Sequence, residues 1–364
     1  MERYPRLVIN FKKLKENLTT LSNTVHGKGA TLSIVTKVLC ADPKVAEFLI
    51  QSRLVDYLSD SRIQNLKTYW GLGLPTMLLR LPQKCEIAET VSYADISCNS
   101  EIETIRLLDA EAERQKRIHG ILLMIDLGDL REGILFKDEE KILKTAGEII
   151  GLKNIKLEGV GSNLGCYGGV LSTNENLSVL VNIKRKIEEH YRISLTIVSG
   201  GNTGTYYLIG KGQLPEGMNN FRLGESFVLG NDTSNASQIP GTCNDAITLE
   251  AQIIEIQTKP SVPIGEIGLD AFGDKPVFTD RGIMKRAICA VGKQDIDTTI
   301  IFPIDQNIQV MGSSSDHLIL DITKTGGTYN LGDTVAFTMN YGALLRAFTS
   351  SYVSRHYIPL EPAC

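Results

Sequence analysis

The run Thr31-Leu-Ser-Ile-Val-Thr-Lys37 decides how the rest of the 364-residue chain is read. It is short, apolar and β-branched and it stops at a lysine, which predicts a buried strand. Helical patterns flank it. Phe11, Leu14, Leu18, Leu21 and Val25 recur at three- and four-residue spacing before it, and a stretch over 43–53 opens on Pro43, a residue favoured at helix starts. The alternation then repeats, predicting strands over 55–59, 76–80, 94–98, 121–127, 156–162, 195–199 and 220–224. Helices fall between most of them, clearest over 101–116, 138–150 and 175–191. Alternating elements give parallel βαβ units, and eight such units over roughly 230 residues predict an α/β chain folded as a (β/α)8 TIM barrel. No Gly-rich dinucleotide turn follows the first strand, which speaks against the competing doubly wound sheet.

Beyond residue 238 the helical periodicity fades. Short β-rich runs over 247–257, 286–291, 299–302, 317–322 and 334–339, punctuated by Gly and Pro, predict an all-β domain. The expected division is a barrel over 1–238 and a C-terminal β domain over 239–364. Hydrophobic residues make up 42% and charged residues 22%, an ordinary globular composition. A net charge of −4 without blocks of like charge excludes nucleic-acid backbone and anionic membrane as main partners. No run of about 18 apolar residues predicts a membrane span, and the N-terminal segment lacks a signal-peptide core. The cysteines, among them Cys364, are scattered without a CxxC pair, and the histidines lack HxxxH spacing. This argues against a disulfide framework or metal site and for a reducing, cytoplasmic setting.

In such barrels, chemistry sits at the C-terminal ends of the strands. Those ends carry Lys37, Asp60, Arg80, Asn99, Asp126 with Arg131 beyond it, Asn163, Ser199 and Arg222. Lys37 closes an apolar strand, where burial would lower its pKa and leave a nucleophilic amine suited to a carbonyl compound. The alternative is a strand-end lysine reaching solvent. The turns Ser199-Gly-Gly-Asn202-Thr203-Gly204 and Arg222-Leu-Gly224-Glu225-Ser226 follow the seventh and eighth strands, where barrels often bind phosphate through backbone N–H groups. Otherwise they are plain tight turns. A lysine at strand one and a phosphate cradle at strands seven and eight together point to pyridoxal 5'-phosphate.

These residues, with Ile125-Asp-Leu-Gly-Asp-Leu-Arg131-Glu-Gly133, Gly159-Val-Gly-Ser-Asn163-Leu-Gly-Cys-Tyr167 and Ser313-Ser-Ser-Asp316-His-Leu-Ile-Leu-Asp321, carry a resemblance that covers nearly the whole chain. The chain resembles the alanine racemase-like pyridoxal-phosphate enzymes, a barrel followed by a β domain, and within them is most similar to the ornithine racemase branch. The resemblance implies a racemase acting on ornithine or a related basic amino acid. Lys37 would hold the cofactor covalently, Ser199, Asn202, Thr203, Gly224 and Glu225 would surround its phosphate, and Asn163 would lie near its ring. Arg222 would face the pyridine nitrogen. Arg131 would meet the phenolic oxygen and the substrate carboxylate, with Met124 in the slot where many relatives have a modified lysine that supports this arginine.

Racemisation needs a proton acceptor on each face of Cα. Lys37 supplies one. The slot that holds a tyrosine in alanine racemases falls in Ala290-Val-Gly-Lys293-Gln-Asp295, which makes Lys293 the candidate second base, with Cys166 and Tyr167 as rivals. By the family pattern a homodimer completes the site, with Ser315 and Asp316 near the substrate. Asp126, Asp129, Glu132 and Asp270 are candidate readers of a distal ammonium. A non-catalytic cofactor carrier and a fold-related decarboxylase are the other readings. The β domain speaks against the first and Arg222 against the second.

Overall fold

Eight parallel strands follow one another in chain order round a closed sheet. They are β1 (Thr31–Val35), β2 (Tyr57–Asp60), β3 (Thr76–Leu78), β4 (Ile96–Asn99), β5 (His119–Asp126), β6 (Ile155–Gly161), β7 (Ile197–Ser199) and β8 (Asn220–Leu223). Each pairs with the next, β8 pairs with β1, and a parallel bridge from Gly201 to Phe221 joins β7 to β8. The structure is a computed structural model that describes residues 2–360; Cys364 lies outside them. The predicted TIM barrel is therefore present, with every predicted barrel strand in place.

The two-residue period of a strand sorts the barrel's side chains. All eight residues of β5 are buried. Ile121, Leu123 and Ile125 pack with Ile105 and Leu108 of the helix Ile102–Gln115 and with Ile142 and Ile149 of the helix Glu139–Ile150. Leu122 and Met124 turn the other way and join Met77, Ile96, Cys98 and Ile197 inside the barrel.

Among the described residues, 14–243 form this unit, and 2–13 with 244–360 form a second. The sequence expectation divides the chain into 1–238 and 239–364, with the N-terminal residues in the barrel. Arg6–Asn10 is instead a strand of the β unit, antiparallel to Ile247–Pro260 and parallel to Ser354–Ile358. Its partners lie at least 238 positions away, so no local pattern announces it. Ile247–Pro260 is the spine of this unit, also pairing antiparallel with Ile283–Cys289 and Thr334–Met339. Leu318–Asp321 and Gln309–Ser313 extend the sheet at one side and Ile301–Pro303 at the other. The strands Gln309–Ser313 and Ser354–Ile358 and the helix Tyr341–Thr349 go beyond the sequence expectation. That helix is capped by Asn340, whose Oδ1 accepts from the N–H groups of Gly342 and Ala343. No helix among the described residues is long and apolar enough to cross a membrane.

Candidate active site

Arg222 lies on β8 and is 6% exposed. Its Nη2 donates to the carbonyl of Ser162 after β6 and, at 3.2 Å, to that of Ser199 on β7. Its Nε is buried without a protein partner. A buried donor left unpaired is costly, so this atom marks a place where an acceptor belongs. Ser199 itself is committed: its hydroxyl donates to Asn220 Oδ1 at 2.5 Å, while its carbonyl steadies Arg222. The sequence reading placed Ser199 beside a cofactor phosphate; in the structure it positions Arg222.

The turns after β7 and β8 meet. Thr203 Oγ1 and Ser226 Oγ stand 3.3 Å apart, and the Ser226 N–H points at Thr203 Oγ1 from 3.5 Å. Gly201 permits the approach, since a Cβ there would strike the Phe221 ring. Gly224 is the N-cap of the short helix Glu225–Leu229 and has no side chain to cap its first N–H groups. Ser226 was quoted within a motif but not singled out; its hydroxyl matters only once the two turns are brought together. Asn202 Nδ2 donates to the Leu164 carbonyl at 2.7 Å, tying the β7 turn to the segment after β6.

Lys37 follows β1 as the first residue of the 3-10 turn Lys37–Leu39. Its neighbours Thr36 and Val38 are buried, but Lys37 itself is exposed. The expectation that burial activates its amine is therefore corrected: the strand end is buried and the side chain leaves it. Glu225 lies within electrostatic reach. Burial pushes the Glu225 carboxyl above its ordinary range, and the Lys37 charge pulls against that shift.

Arg131 is in a different setting. Its Nε and Nη2 both meet the Glu132 carboxylate, and its side chain is 41% exposed. The Asn163 amide lies on its other side; with the oxygen turned toward the guanidinium it accepts from Nη1 at 2.8 Å. Behind this pair, buried Asp129 accepts the N–H groups of Gly165, Tyr167 and Val170 at 3.0–3.1 Å. Burial raises its pKa, but those donors win and hold the carboxyl below its usual range. Asp126 likewise accepts from the N–H groups of Gly128 and Leu130. Asp126 and Asp129 thus act as loop templates.

In the β unit the structure brings Lys293 beside Ser315 and Asp316. Gly292 packs so closely on the Ser315 carbonyl that no Cβ fits between them. The N–H of Lys293 donates to Ser314 and that of Gln294 to Ser315, at 2.9 and 3.0 Å. Ser315 Oγ donates to Asp316 Oδ2 at 3.0 Å, and both residues are exposed.

Comparison with known proteins gives the family and the fold. Residues 9–231 match the family model described as alanine racemase, N-terminal domain. The chain is 45% identical to an ornithine racemase from Acetoanaerobium sticklandii over 355 residues, covering 98% of this chain and all of that one. It is 41% identical to a lysine racemase from Thermotoga maritima over 358 residues, 98% and 99% of the two chains. Among solved structures it resembles an alanine racemase from Bartonella henselae with covalently bound pyridoxal phosphate, with a TM-score of 0.73 and 17% identity over 97% and 99% of the chains.

Proposed function

The chain belongs to the alanine racemase family, and from that premise we propose that it interconverts the enantiomers of ornithine or a related basic amino acid using pyridoxal 5'-phosphate. The observation that carries this reading is Arg222 Nε, a buried donor that lacks an acceptor and suits a pyridine nitrogen. The hydroxyls of Thr203 and Ser226 with the uncapped backbone at Gly224 suit the phosphate, and Lys37 suits the aldehyde carbon. Asn202 supports the cradle from the side. When bound, the cofactor acidifies the α C–H of the amino acid joined to it.

The protein's own groups then determine the outcome. An arginine does not give up its proton to the ring nitrogen, so Arg222 leaves that nitrogen unprotonated and the ring a weaker electron sink. This favours returning the proton to Cα over decarboxylation. Arg131 receives the substrate carboxylate, exchanging it for Glu132. Lys37 Nζ takes or returns the α-proton on one face, and Lys293 Nζ does so on the other. We place Lys293 in a homodimer, in which the β unit of one copy serves the barrel of the second, with Ser315 and Asp316 beside the substrate. Ile264, Leu269 and Val277 of the β unit are 92%, 71% and 93% exposed, apolar surface of the kind that self-association covers.

The test is turnover of L-ornithine and L-lysine in deuterium oxide. Loss of optical rotation with deuterium appearing at Cα is expected. Release of carbon dioxide, or no exchange with any amino acid, would overturn the proposal.

A further inference from the structure

We propose that Asp270 and Phe272 are positioning residues for Lys293, holding its side chain as an ammonium so that it stands ready as the proton donor to Cα. This rests on the reading of Lys293 as the second base and adds the groups that set its charge. Lys293 Nζ is 3.8 Å from Asp270 Oδ2 and 4.0 Å from the centre of the Phe272 ring. Anion and ring face both favour a positive charge. Asp270 is itself fixed, since its Oδ1 accepts the N–H groups of Phe272 at 2.8 Å and Asp274 at 2.9 Å. Those donors, with Lys293, hold the Asp270 carboxyl below its usual range. The Lys293 backbone is pinned against Ser314 and Ser315, so its remaining freedom is in the side chain that these two residues grip.

Asp297 is also within electrostatic reach of Lys293. Asp297 has its own partners: Arg346 at 3.8 Å and the Thr299 hydroxyl at 2.6 Å. Asp270 is thus the anion assigned to Lys293, which also accounts for Asp270 better than the role of ammonium reader on the substrate. In the step itself, the Nζ–H bond breaks as the Cα–H bond forms and the electron pair stays on Nζ. The proton that Lys37 Nζ removed from the opposite face balances the one delivered. In the reverse direction Lys293 must first lose its proton, so its ionisation appears as an acid limb there and as an alkaline limb in the forward direction.

The experiment measures α-hydrogen exchange in each stereochemical direction against pH, with the cofactor-loaded full chain, for wild type, Asp270→Asn, Phe272→Leu and Lys293→Ala. Asp270→Asn removes an anion, so the limb set by Lys293 moves to lower pH in both directions, by about half to one unit. Phe272→Leu moves it the same way by less. No shift in either direction, with Lys293→Ala still slowing one direction of exchange selectively, would overturn the assignment of Asp270 and Phe272 and leave Lys293 standing. Equal slowing of both directions by Lys293→Ala would remove the base itself and this proposal with it. A second readout does not depend on turnover: after reductive 13C-methylation, the amine resonance missing from Lys293→Arg should titrate at lower pH in Asp270→Asn. An unmoved titration would contradict the proposal.

Discussion

Arg222 and Arg131 both stand at the ends of barrel strands, in opposite surroundings. Arg222 is buried and held by two backbone carbonyls, neutral partners that leave its charge intact and cannot move away. Arg131 is half in solvent and held by a carboxylate next to it in the chain, a partner that compensates its charge and can be exchanged. The difference separates a fixed feature of the site from a docking point. Under the proposed function, the guanidinium held by carbonyls would serve a cofactor that stays, and the one held by a carboxylate a substrate carboxylate that comes and goes.

The largest effect should come from breaking the fixed side. Arg222→Ala leaves the Ser162 and Ser199 carbonyls without their donor, so the melting temperature should fall by several degrees and racemisation by at least about 100-fold. Calorimetry and initial rates check this, and a variant of wild-type stability would show that the buried guanidinium is not structural.

His119 sharpens the comparison, because it is a basic group that answers burial by losing its charge. Burial pulls its pKa down to about 4, opposed by a backbone hydrogen bond to Ala94, and its Nε2 lies 2.7 Å from Ser97 Oγ. Its folded pKa lies below its unfolded value of about 6.5, so the unfolded chain binds the extra proton between those values. Stability is fully present above pH 6.5 and declines as pH falls toward 4, by at most about 3 kcal/mol from this group. Denaturant midpoints across that range should fall for the wild type and stay flatter for His119→Gln.

On the exchangeable side the effects are smaller. Glu132→Gln removes a carboxylate that competes for Arg131, so KM for the amino acid should drop several-fold with little change in melting temperature. A rise in KM would assign Glu132 to orienting the arginine instead. Ser226→Ala should weaken pyridoxal phosphate binding about fivefold, read by titration of the apoprotein, since one neutral hydrogen bond is lost.

How much of this was legible in the sequence follows from where the partners lie. Each barrel strand pairs with its neighbour in the chain, so the repeat in 31–37, 55–59 and the following runs shows the fold directly. Arg6–Asn10 pairs only with strands at the other end of the chain, and its five residues lead straight into a helix. Lys37, Arg131, Arg222 and the two Gly-rich turns stood out because residue type and strand-end position together mark them. What holds them did not. Arg222 is fixed by backbone carbonyls, which any sequence supplies, and Asp129 by backbone N–H groups. The exposure of Lys37 depends on where its side chain leaves the strand, which the apolar run before it does not reveal.

The account turns on Lys37, and the most direct measurement is borohydride reduction of the protein loaded with pyridoxal phosphate, followed by peptide mapping. The account predicts one covalently modified peptide, with the cofactor on Lys37, and loss of that modification in Lys37→Ala. Modification at a different lysine, or none at a concentration that saturates the yellow chromophore, would contradict it.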